Sequence, residues 1–267
     1  MQSDSDVVVI LGTGGTIAGA GDNVGYSAGQ IGVAQLVAAV PALSGRSLEA
    51  EQVAQLDSKD MDHATWQRLA QRAAHHLARP DVAGVVVTHG TDTLEETAWF
   101  LQRVLAPVKP LVLTASMRPA TSLQADGPQN LLDAVTLAAE PGARGVLVAV
   151  GGEVHGAAEV RKTQPFRIDA FQSGDAPVLA SVREGRVLRW RDWPQGDALG
   201  LSAISRPVAE WPKVGVVPSH AGVEPVLVDA LVAAGYQGLV IEGTGNGTWH
   251  RALGAALQAA EIGRAHV

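Results

Sequence analysis

The feature of this sequence that most limits how it can fold is an alternation of short apolar runs with longer amphipathic stretches. The apolar runs are rich in β-branched residues and lie at residues 7–11, 84–88, 110–114 and 145–150. Wholly apolar runs of this length are typical of strands buried on both faces of a parallel sheet. Helical periodicity occupies residues 61–79, 93–105 and 126–139. The alternation predicts an α/β fold in which helices wrap a mainly parallel sheet.

The same alternation divides the chain into two predicted domains. Residues 1–190 form a large N-terminal domain, and the periodicity then lapses over residues 191–212, which we interpret as a linker. The strand–helix pattern resumes over residues 213–267, with material for two strands. A sheet of two strands is too small to bury its own faces. We therefore expect a smaller, incomplete α/β domain at the C-terminus.

Composition narrows the class of protein further. Of the 267 residues, 46% are apolar and 18% are charged, as in a globular chain, and the formal net charge is −7. An acidic chain without a long Lys/Arg run is poorly suited to bind nucleic acid or an anionic membrane, so neither partner is expected. The sequence contains no Cys, which excludes disulfides, thiolate metal sites and a Cys nucleophile.

The compartment is predicted from what the sequence lacks. No apolar run approaches the roughly 18 residues of a membrane span. The N-terminal sequence MQSDSD carries no basic segment of the kind that opens a signal peptide. We expect a cytoplasmic protein, with a periplasmic form that has lost its leader as the alternative.

A Gly-rich turn after the first strand is the first candidate functional segment. The sequence LGTGGTIAG spans residues 11–19, but a dinucleotide-binding loop would need Gly where Ile17 stands, and the Lys of a phosphate-binding loop is missing. The turn retains two hydroxyls, Thr13 and Thr16, beside backbone N–H groups. Such a turn can stabilise an oxyanion while it presents a hydroxyl nucleophile. A simple tight turn is the alternative.

A second candidate, THGTDT, occupies residues 88–93 at the end of another predicted strand. It places Thr91 and Asp92 side by side, and His89 could serve as a base or as a structural hydrogen-bonding group. A helix cap would also explain the motif, with Thr91 or Asp92 as the N-cap and Glu95 closing a capping box. Both interpretations stay open on the sequence alone.

Other polar residues carry weaker signals. An isolated Lys such as Lys162 is ordinarily a solvated side chain, and it gains interest only if the fold brings it to Thr91 and Asp92. His75 and His76 are adjacent in a predicted helix and must diverge. No His pair has the spacing of metal ligands, so no metal site is expected.

Taken together, the motifs resemble those of a known family. TGGTIAG (13–19), DSKDM (57–61), THGTDT (88–93), SMRP…ADGPQN (116–130), RKT (161–163) and GTGNG (243–247) occur in the order and spacing of the bacterial-type L-asparaginases. The resemblance extends over about residues 7–260. It implies a flavodoxin-like sheet and hydrolysis of the side-chain amide of L-asparagine to L-aspartate and ammonia. It also implies no cofactor, and a homotetramer built as a dimer of dimers.

The resemblance assigns roles to particular residues. Thr16 matches the nucleophile, and Tyr26 matches the residue that activates it. Thr91 matches a second catalytic hydroxyl, with Asp92 and Lys162 completing its triad. Ser58 matches the group that binds the substrate carboxylate, Asp92 faces the substrate ammonium, and Ser116 lines the pocket near the leaving amide. The residues expected to bind substrate are Gly15, Asp57, Ser58, Gly90, Thr91, Asp92 and Ser116.

Three departures from the family pattern qualify these expectations. Lys59 stands where Gln is frequent, so this cation must point away from the substrate or pair with a carboxylate, and the preference between asparagine and glutamine is open. Thr248 stands where some members have Asn or Ser near the neighbouring subunit's site. The chain is also shorter than typical members. We interpret residues 261–267, EIGRAHV, as adapter-derived sequence that follows a truncated gene.

Alternative functions follow from the same departures. The chain could be an inactive fragment, a non-catalytic homologue that binds amino acids, or a member that favours glutamine. A subunit of a tRNA-dependent amidotransferase is a further alternative, although such subunits usually carry an extra N-terminal module.

Overall fold

The structure is a computed structural model that describes residues 6–19 and 29–260. Residue contacts divide the chain into two compact units, Met1–Ser205 and Arg206–Val267. The predicted linker over residues 191–212 and the domain limits at its ends stay predictions.

The first unit is built on an eight-stranded sheet and a small two-stranded ribbon. In chain order, the strands are β1 (Val7–Gly14), β2 (Leu48–Leu56), β3 (Val82–Thr88), β4 (Pro110–Thr114), β5 (Gly145–Val150), β6 (Glu153–Gly156), β7 (Arg161–Lys162), β8 (Phe171–Gln172), β9 (Ala180–Arg183) and β10 (Arg186–Arg189). The sheet order is β10-β9-β6-β5-β4-β3-β1-β2, and β7 pairs with β8 in the ribbon.

Five strands of this sheet are parallel and confirm the predicted fold class. β2, β1, β3, β4 and β5 pair in parallel and lie in the order 2-1-3-4-5, which is the flavodoxin-like order. β6, β9 and β10 extend the sheet with antiparallel pairing. The sheet is therefore mainly parallel, with an antiparallel edge that the sequence pattern did not predict.

Helices cover both faces of the sheet because its strands are apolar on both faces. They are α1 (Val33–Ala38), α2 (His63–Leu77), α3 (Leu94–Leu105) and α4 (Gly127–Ala138). On β1, Val8 and Ile10 belong to the cluster that includes Leu131 and Val135 of α4. The alternate residue Val9 points to the opposite face and is fully buried as well. No helix in residues 6–19 and 29–260 combines the length and apolar character that crossing a membrane requires.

The residues that follow β10 pack on the first unit. Trp193 is buried and belongs to the main hydrophobic cluster. Further along, the backbone N–H of Leu199 donates to the carbonyl of Arg103 at 2.9 Å. The aperiodic sequence after residue 190 therefore includes anchored residues.

The second unit contains a two-stranded parallel sheet and two helices. The strands are β11 (Val214–Pro218) and β12 (Gly238–Glu242), and the helices are α5 (Val226–Ala233) and α6 (Arg251–Ala259). Val217, Val228 and Leu253 form its core. On the other face of the sheet, Val214 and Val216 are 52% and 62% exposed. The pair of strands thus buries one face only.

Candidate active site

The candidate site lies where the parallel strands of the first unit end. Thr88, at the end of β3, pairs with Gly12 in β1 and with Thr114 in β4, so the strand ends are level. The candidate residues that follow these ends are Thr16 after β1, Ser58 after β2, Thr91 after β3 and Ser116 after β4. Carboxyl ends of parallel strands are the usual place for ligands in open α/β sheets.

The turns that follow β1, β2 and β3 meet through glycine. Gly15 has φ 81°, in the left-handed region that favours glycine. A Cβ added to Gly15 would overlap the backbone of Gly90, and a Cβ added to Gly90 would lie 2.6 Å from Ser58 Cβ. The absence of side chains at these positions thus brings the backbone beside Thr16 against the backbone beside Thr91.

Thr16 opens a short 3₁₀ turn immediately after this contact. The turn spans Thr16–Ala18, and the N–H of Gly19 closes it by donating to the Thr16 carbonyl at 2.9 Å. Thr16 is half-buried. Its predicted activating residue, Tyr26, lies outside the described residues.

Ser58 connects the turn after β2 to the turn after β3. It is 2% exposed, and its Oγ accepts from the backbone N–H of Asp92 at 3.1 Å. Its carbonyl accepts from the Thr93 hydroxyl at 2.8 Å. A buried hydroxyl with its lone pairs directed to this turn fixes the backbone on which Asp92 stands.

Lys59 pairs with carboxylates of its own turn. Its ammonium lies 2.8 Å from Asp57 Oδ2 and 3.1 Å from Asp60 Oδ2, and its side chain is 61% exposed. Hydrogen bonds to Asp57, then to Asp60, raise the pKa of Lys59. The Asp57 carboxylate also caps the turn by accepting from the Lys59 N–H at 3.3 Å. The sequence predicted that this cation must point away or pair with a carboxylate, and the carboxylates adjacent in sequence provide the pairing.

Thr91, Asp92 and Lys162 form a contact that joins residues far apart in the chain. The Lys162 Nζ lies 2.8 Å from Thr91 Oγ1 and 2.5 Å from Asp92 Oδ1. Thr91 is 7% exposed, and the side chains of Lys162 and Asp92 are 17% and 52% exposed. An amine that touches both a hydroxyl and a carboxylate can take a proton from the first while the second stabilises the resulting charge.

The capping-box interpretation of this segment is wrong. The N-cap of α3 is Thr93, which makes no side-chain capping bond. Glu95 instead accepts from the backbone N–H of Lys162 at 2.6 Å. The N–H of Asp92, which a capping box would satisfy with Glu95, donates to Ser58. The capping partners are therefore engaged in tertiary contacts that a local pattern cannot show.

His89 is a structural hydrogen-bonding residue in this arrangement. It is fully buried, and burial lowers its pKa to about 4. Its Nδ1 lies 2.7 Å from the Gly90 carbonyl, and its Nε2 lies 3.0 Å from Thr97 Oγ1. Because the Gly90 carbonyl can only accept, the neutral ring donates from Nδ1 and its Nε2 accepts from the Thr97 hydroxyl, whose oxygen accepts in turn from Trp66 Nε1. The chain of bonds fixes the peptide before Thr91.

Ser116 lies on the far side of the site in a braced loop. It is 1% exposed, and its hydroxyl donates to the Arg118 carbonyl at 2.8 Å. The carboxylate of Asp126 accepts from the backbone N–H groups of Met117 and Arg118, each at 2.9 Å. Ser116 and Thr91 line one narrow cleft. Asp126 lies within the ADGPQN motif but was not among the predicted site residues, and its carboxylate holds this loop in place.

The site is rich in hydroxyls and backbone N–H groups. Within residues 6–19 and 29–260, no cluster of three His, Cys, Asp or Glu side chains has the arrangement of a metal site. The available groups are those of acyl transfer: hydroxyls as nucleophiles, an amine to receive a proton and Gly-rich turns to stabilise an oxyanion. The fold and site thus define a candidate hydrolase or acyltransferase that works through a hydroxyl.

Comparison with protein families narrows this class. Residues 7–194 match the family model "Asparaginase, N-terminal", and residues 213–265 match "Glutaminase/Asparaginase C-terminal domain". The first match alone covers well over half of the chain. The chain belongs to the asparaginase family.

Individual relatives agree with this membership. The chain is 40% identical over 253 residues to "Probable L-asparaginase periplasmic" of Haemophilus influenzae, covering 92% of this chain and 71% of the relative. It is 38% identical over 252 residues to "L-asparaginase 2" of Escherichia coli, covering 92% and 72%. It is also 38% identical over 258 residues to "Glutaminase-asparaginase" of Pseudomonas fluorescens, covering 94% and 71%.

A solved structure shares the same fold. The crystal structure described as "Probable Cytoplasmic L-asparaginase" from Campylobacter jejuni superposes with a TM-score of 0.88 at 37% sequence identity. The superposition covers 95% of this chain and 80% of that chain. The likeness therefore extends over nearly all of both units.

Proposed function

We propose that this protein is an asparaginase that hydrolyses the side-chain amide of L-asparagine to L-aspartate and ammonia. The observation that carries the proposal is the contact of Lys162 with Thr91 and Asp92 at the edge where Thr16 also lies. Membership of the asparaginase family and relatives named L-asparaginase support the same activity.

In the proposed reaction, Thr16 is the nucleophile. Its oxygen adds to the amide carbon, the C–N bond breaks, and the nitrogen leaves as ammonia after gaining a proton. Water then cleaves the resulting ester and restores the hydroxyl. A Thr hydroxyl is a weak nucleophile at neutral pH and needs a partner to take its proton. We assign that activation to Tyr26, on the family resemblance.

Thr91 and Lys162 are proposed to move protons. The 2.8 Å contact gives a proton on the Thr91 oxygen a direct path to the Lys162 nitrogen. Asp92 then stabilises the ammonium at 2.5 Å. Proton transfer by a positioned group of this kind contributes roughly 10²–10⁴ in rate. Because the N–H of Gly15 already donates to the Leu56 carbonyl at 2.9 Å, we assign stabilisation of the oxyanion to the backbone N–H of Gly90.

Substrate recognition is proposed to use the groups around this edge. The substrate is a zwitterion, so its carboxylate needs donors and its ammonium needs an anion. We assign the carboxylate to Ser58, the ammonium to Asp92 and the end of the side chain that carries the amide to the cleft at Ser116. Asp57 lies beside Ser58, and its negative charge there is balanced by its ion pair with Lys59.

The preference between asparagine and glutamine is a separate question that the proposal leaves to measurement. A relative named "Glutaminase-asparaginase" is as similar to this chain as one named "L-asparaginase 2". Comparison of kcat/KM for the two amides in one preparation decides between an asparagine-selective enzyme and one that favours glutamine.

The test of the proposal is ammonia release from L-asparagine by the chain and three variants. Thr16→Ala and Thr91→Val should each lower kcat by at least about 10²-fold. Thr136→Val is the matched control, because the hydroxyl that it removes donates within its own helix α4, to the Leu132 carbonyl. Full activity in either of the first two variants would remove that Thr from the mechanism. Binding of L-aspartate without turnover would support the non-catalytic alternative.

Assembly and compartment complete the proposal. We propose a homotetramer, as the family resemblance implies, and sedimentation at micromolar concentration distinguishes it from a dimer or monomer. We propose a cytoplasmic location, although the relatives include one named periplasmic and one named cytoplasmic. Fractionation of the native host decides between them.

A further inference from the structure

The backbone N–H of Lys162 points out of the ribbon formed by β7 and β8. Inside the ribbon, the N–H of the next residue, Thr163, donates to the Ala170 carbonyl at 2.8 Å. Successive N–H groups of an extended strand point to opposite sides. The N–H of Lys162 therefore faces away from β8 and needs a partner from another element.

That partner is Glu95, in the first turn of α3. Its Oε2 accepts from the Lys162 N–H at 2.6 Å, a short hydrogen bond from a backbone donor to a carboxylate. Glu95 lies three residues after Asp92 and four after Thr91. One carboxylate thus links the backbone of Lys162 to the same turn that carries both partners of its ammonium.

We propose that Glu95 is a positioning residue that sets where the Lys162 Nζ lies. A Lys side chain has many rotamers, so its Nζ occupies one place only when its backbone is held. β7 is only two residues long and offers little restraint of its own. The bond from Glu95 supplies the restraint that places Nζ against Thr91. The consequence for catalysis rests on the proposed function.

The neighbouring residue Glu96 separates this role from a general effect of charge. Both carboxylates lie in the first turn of α3, where any anion is favoured by the helix dipole. Glu96 is exposed, and the contact to Lys162 belongs to Glu95. Glu96→Ala therefore removes the same charge from the same helix terminus without removing the bond.

The first readout is steady-state kinetics with L-asparagine. Glu95→Ala should lower kcat by about 10–100-fold, as expected when a residue that orients a catalytic group is lost, while KM changes by less than about threefold. Glu95→Gln keeps an acceptor oxygen and should recover kcat to within about fivefold of the wild type. Glu96→Ala should behave as the wild type. Thermal unfolding of each variant confirms that it folds.

The second readout does not depend on turnover. Amide hydrogen exchange, resolved by residue with NMR, should be at least about tenfold faster at Lys162 in Glu95→Ala than in the wild type. Exchange at Thr163, whose N–H is paired within the ribbon, should stay unchanged. The two adjacent amides thus report the loss of one bond against an internal reference.

The outcomes separate this inference from the proposed function. Wild-type kcat in Glu95→Ala, or loss of activity with unchanged exchange at Lys162, overturns the positioning role. Full activity in Thr91→Val, or no turnover by the wild-type chain, overturns the proposed function instead. In that second case, the exchange at Lys162 still decides whether Glu95 holds the backbone.

Discussion

Mild acid should destabilise the first unit because two buried imidazoles in it are neutral. His89 and His155 are 0% and 1% exposed, and burial lowers the pKa of each to about 4. At His155 the charge of Glu159 opposes this effect and raises the pKa, and the Glu153 carboxylate lies 3.9 Å from Nε2. The pKa of an unfolded His is near 6.5.

The sign and size of the effect follow from this difference. Since the folded pKa lies below the unfolded one, the unfolded chain binds the proton first as the pH falls. The contribution of the neutral imidazoles to the free energy of unfolding is therefore fully present above about pH 6.5 and is lost as the pH falls towards 4. For one imidazole, a shift from 6.5 to about 4 costs roughly 2 kcal/mol between pH 7 and pH 5. Two such groups lower the free energy of unfolding by about 4 kcal/mol, which is a large part of the 5–15 kcal/mol typical of a folded protein.

Urea unfolding at both pH values tests this prediction. Carboxylates also titrate in this range, so the informative quantity is the difference between the wild type and a variant. His155→Gln removes one buried imidazole and should lose about 2 kcal/mol less than the wild type between pH 7 and pH 5. His75→Gln, at an exposed position of α2, is the control. NMR titration of the His89 and His155 rings measures the two pKa values directly.

Two results would refute the reasoning. The first is an equal loss of stability in wild type and His155→Gln, which would mean that the imidazole does not contribute. The second is a ring of His89 that titrates near pH 6.5, which would mean that water reaches it in the folded state.

Two further predictions concern the turns of the site. Gly90→Ala should lower kcat/KM for L-asparagine by at least about 100-fold and stability by about 1–3 kcal/mol, because the new Cβ would lie 2.6 Å from Ser58 Cβ. Gly32→Ala is the control, because its new Cβ would lie 3.9 Å from the nearest atom. Wild-type kinetics in Gly90→Ala would contradict the proposed importance of the glycine contact. Lys59→Gln should leave kcat/KM within about threefold and stability within about 1 kcal/mol, since its ion pairs are exposed. A tenfold change in the asparagine-to-glutamine ratio would instead place Lys59 at the substrate.

Burial explains which strands could be predicted. β1, β3, β4 and β5 are buried on both faces and therefore appear in the sequence as continuous apolar runs. β2 lies at the sheet edge, where residues such as Glu49 are exposed, and its run is broken by polar residues. β6, β9 and β10 have four residues each, too few to establish a period. Packing of the Trp residues in the aperiodic segment was expected from their type, and Trp193 is indeed buried in the main cluster.

The site divides in a similar way. Thr91 and Asp92 are adjacent in sequence and follow a strong strand, so their place at the sheet edge was predictable from the residues. Lys162 lies 70 residues further on, and the family resemblance was needed to connect it. The local sequence around Glu95 is equally compatible with a capping box and with a hydrogen bond to a distant residue. Its partner, the backbone N–H of Lys162, is distant in the sequence and could be identified only from the structure.

The contact between the turns at Gly15 and Gly90 has a consequence for engineering. Two backbones touch there, so the distance between the hydroxyl-bearing turns does not depend on side-chain rotamers. Substitution of side chains therefore cannot adjust this distance gradually. Libraries that seek activity on other amides should therefore keep both glycines and diversify residues 117–125, the loop held by Asp126. Changes in this loop would then alter substrate selectivity while the reacting groups keep their positions.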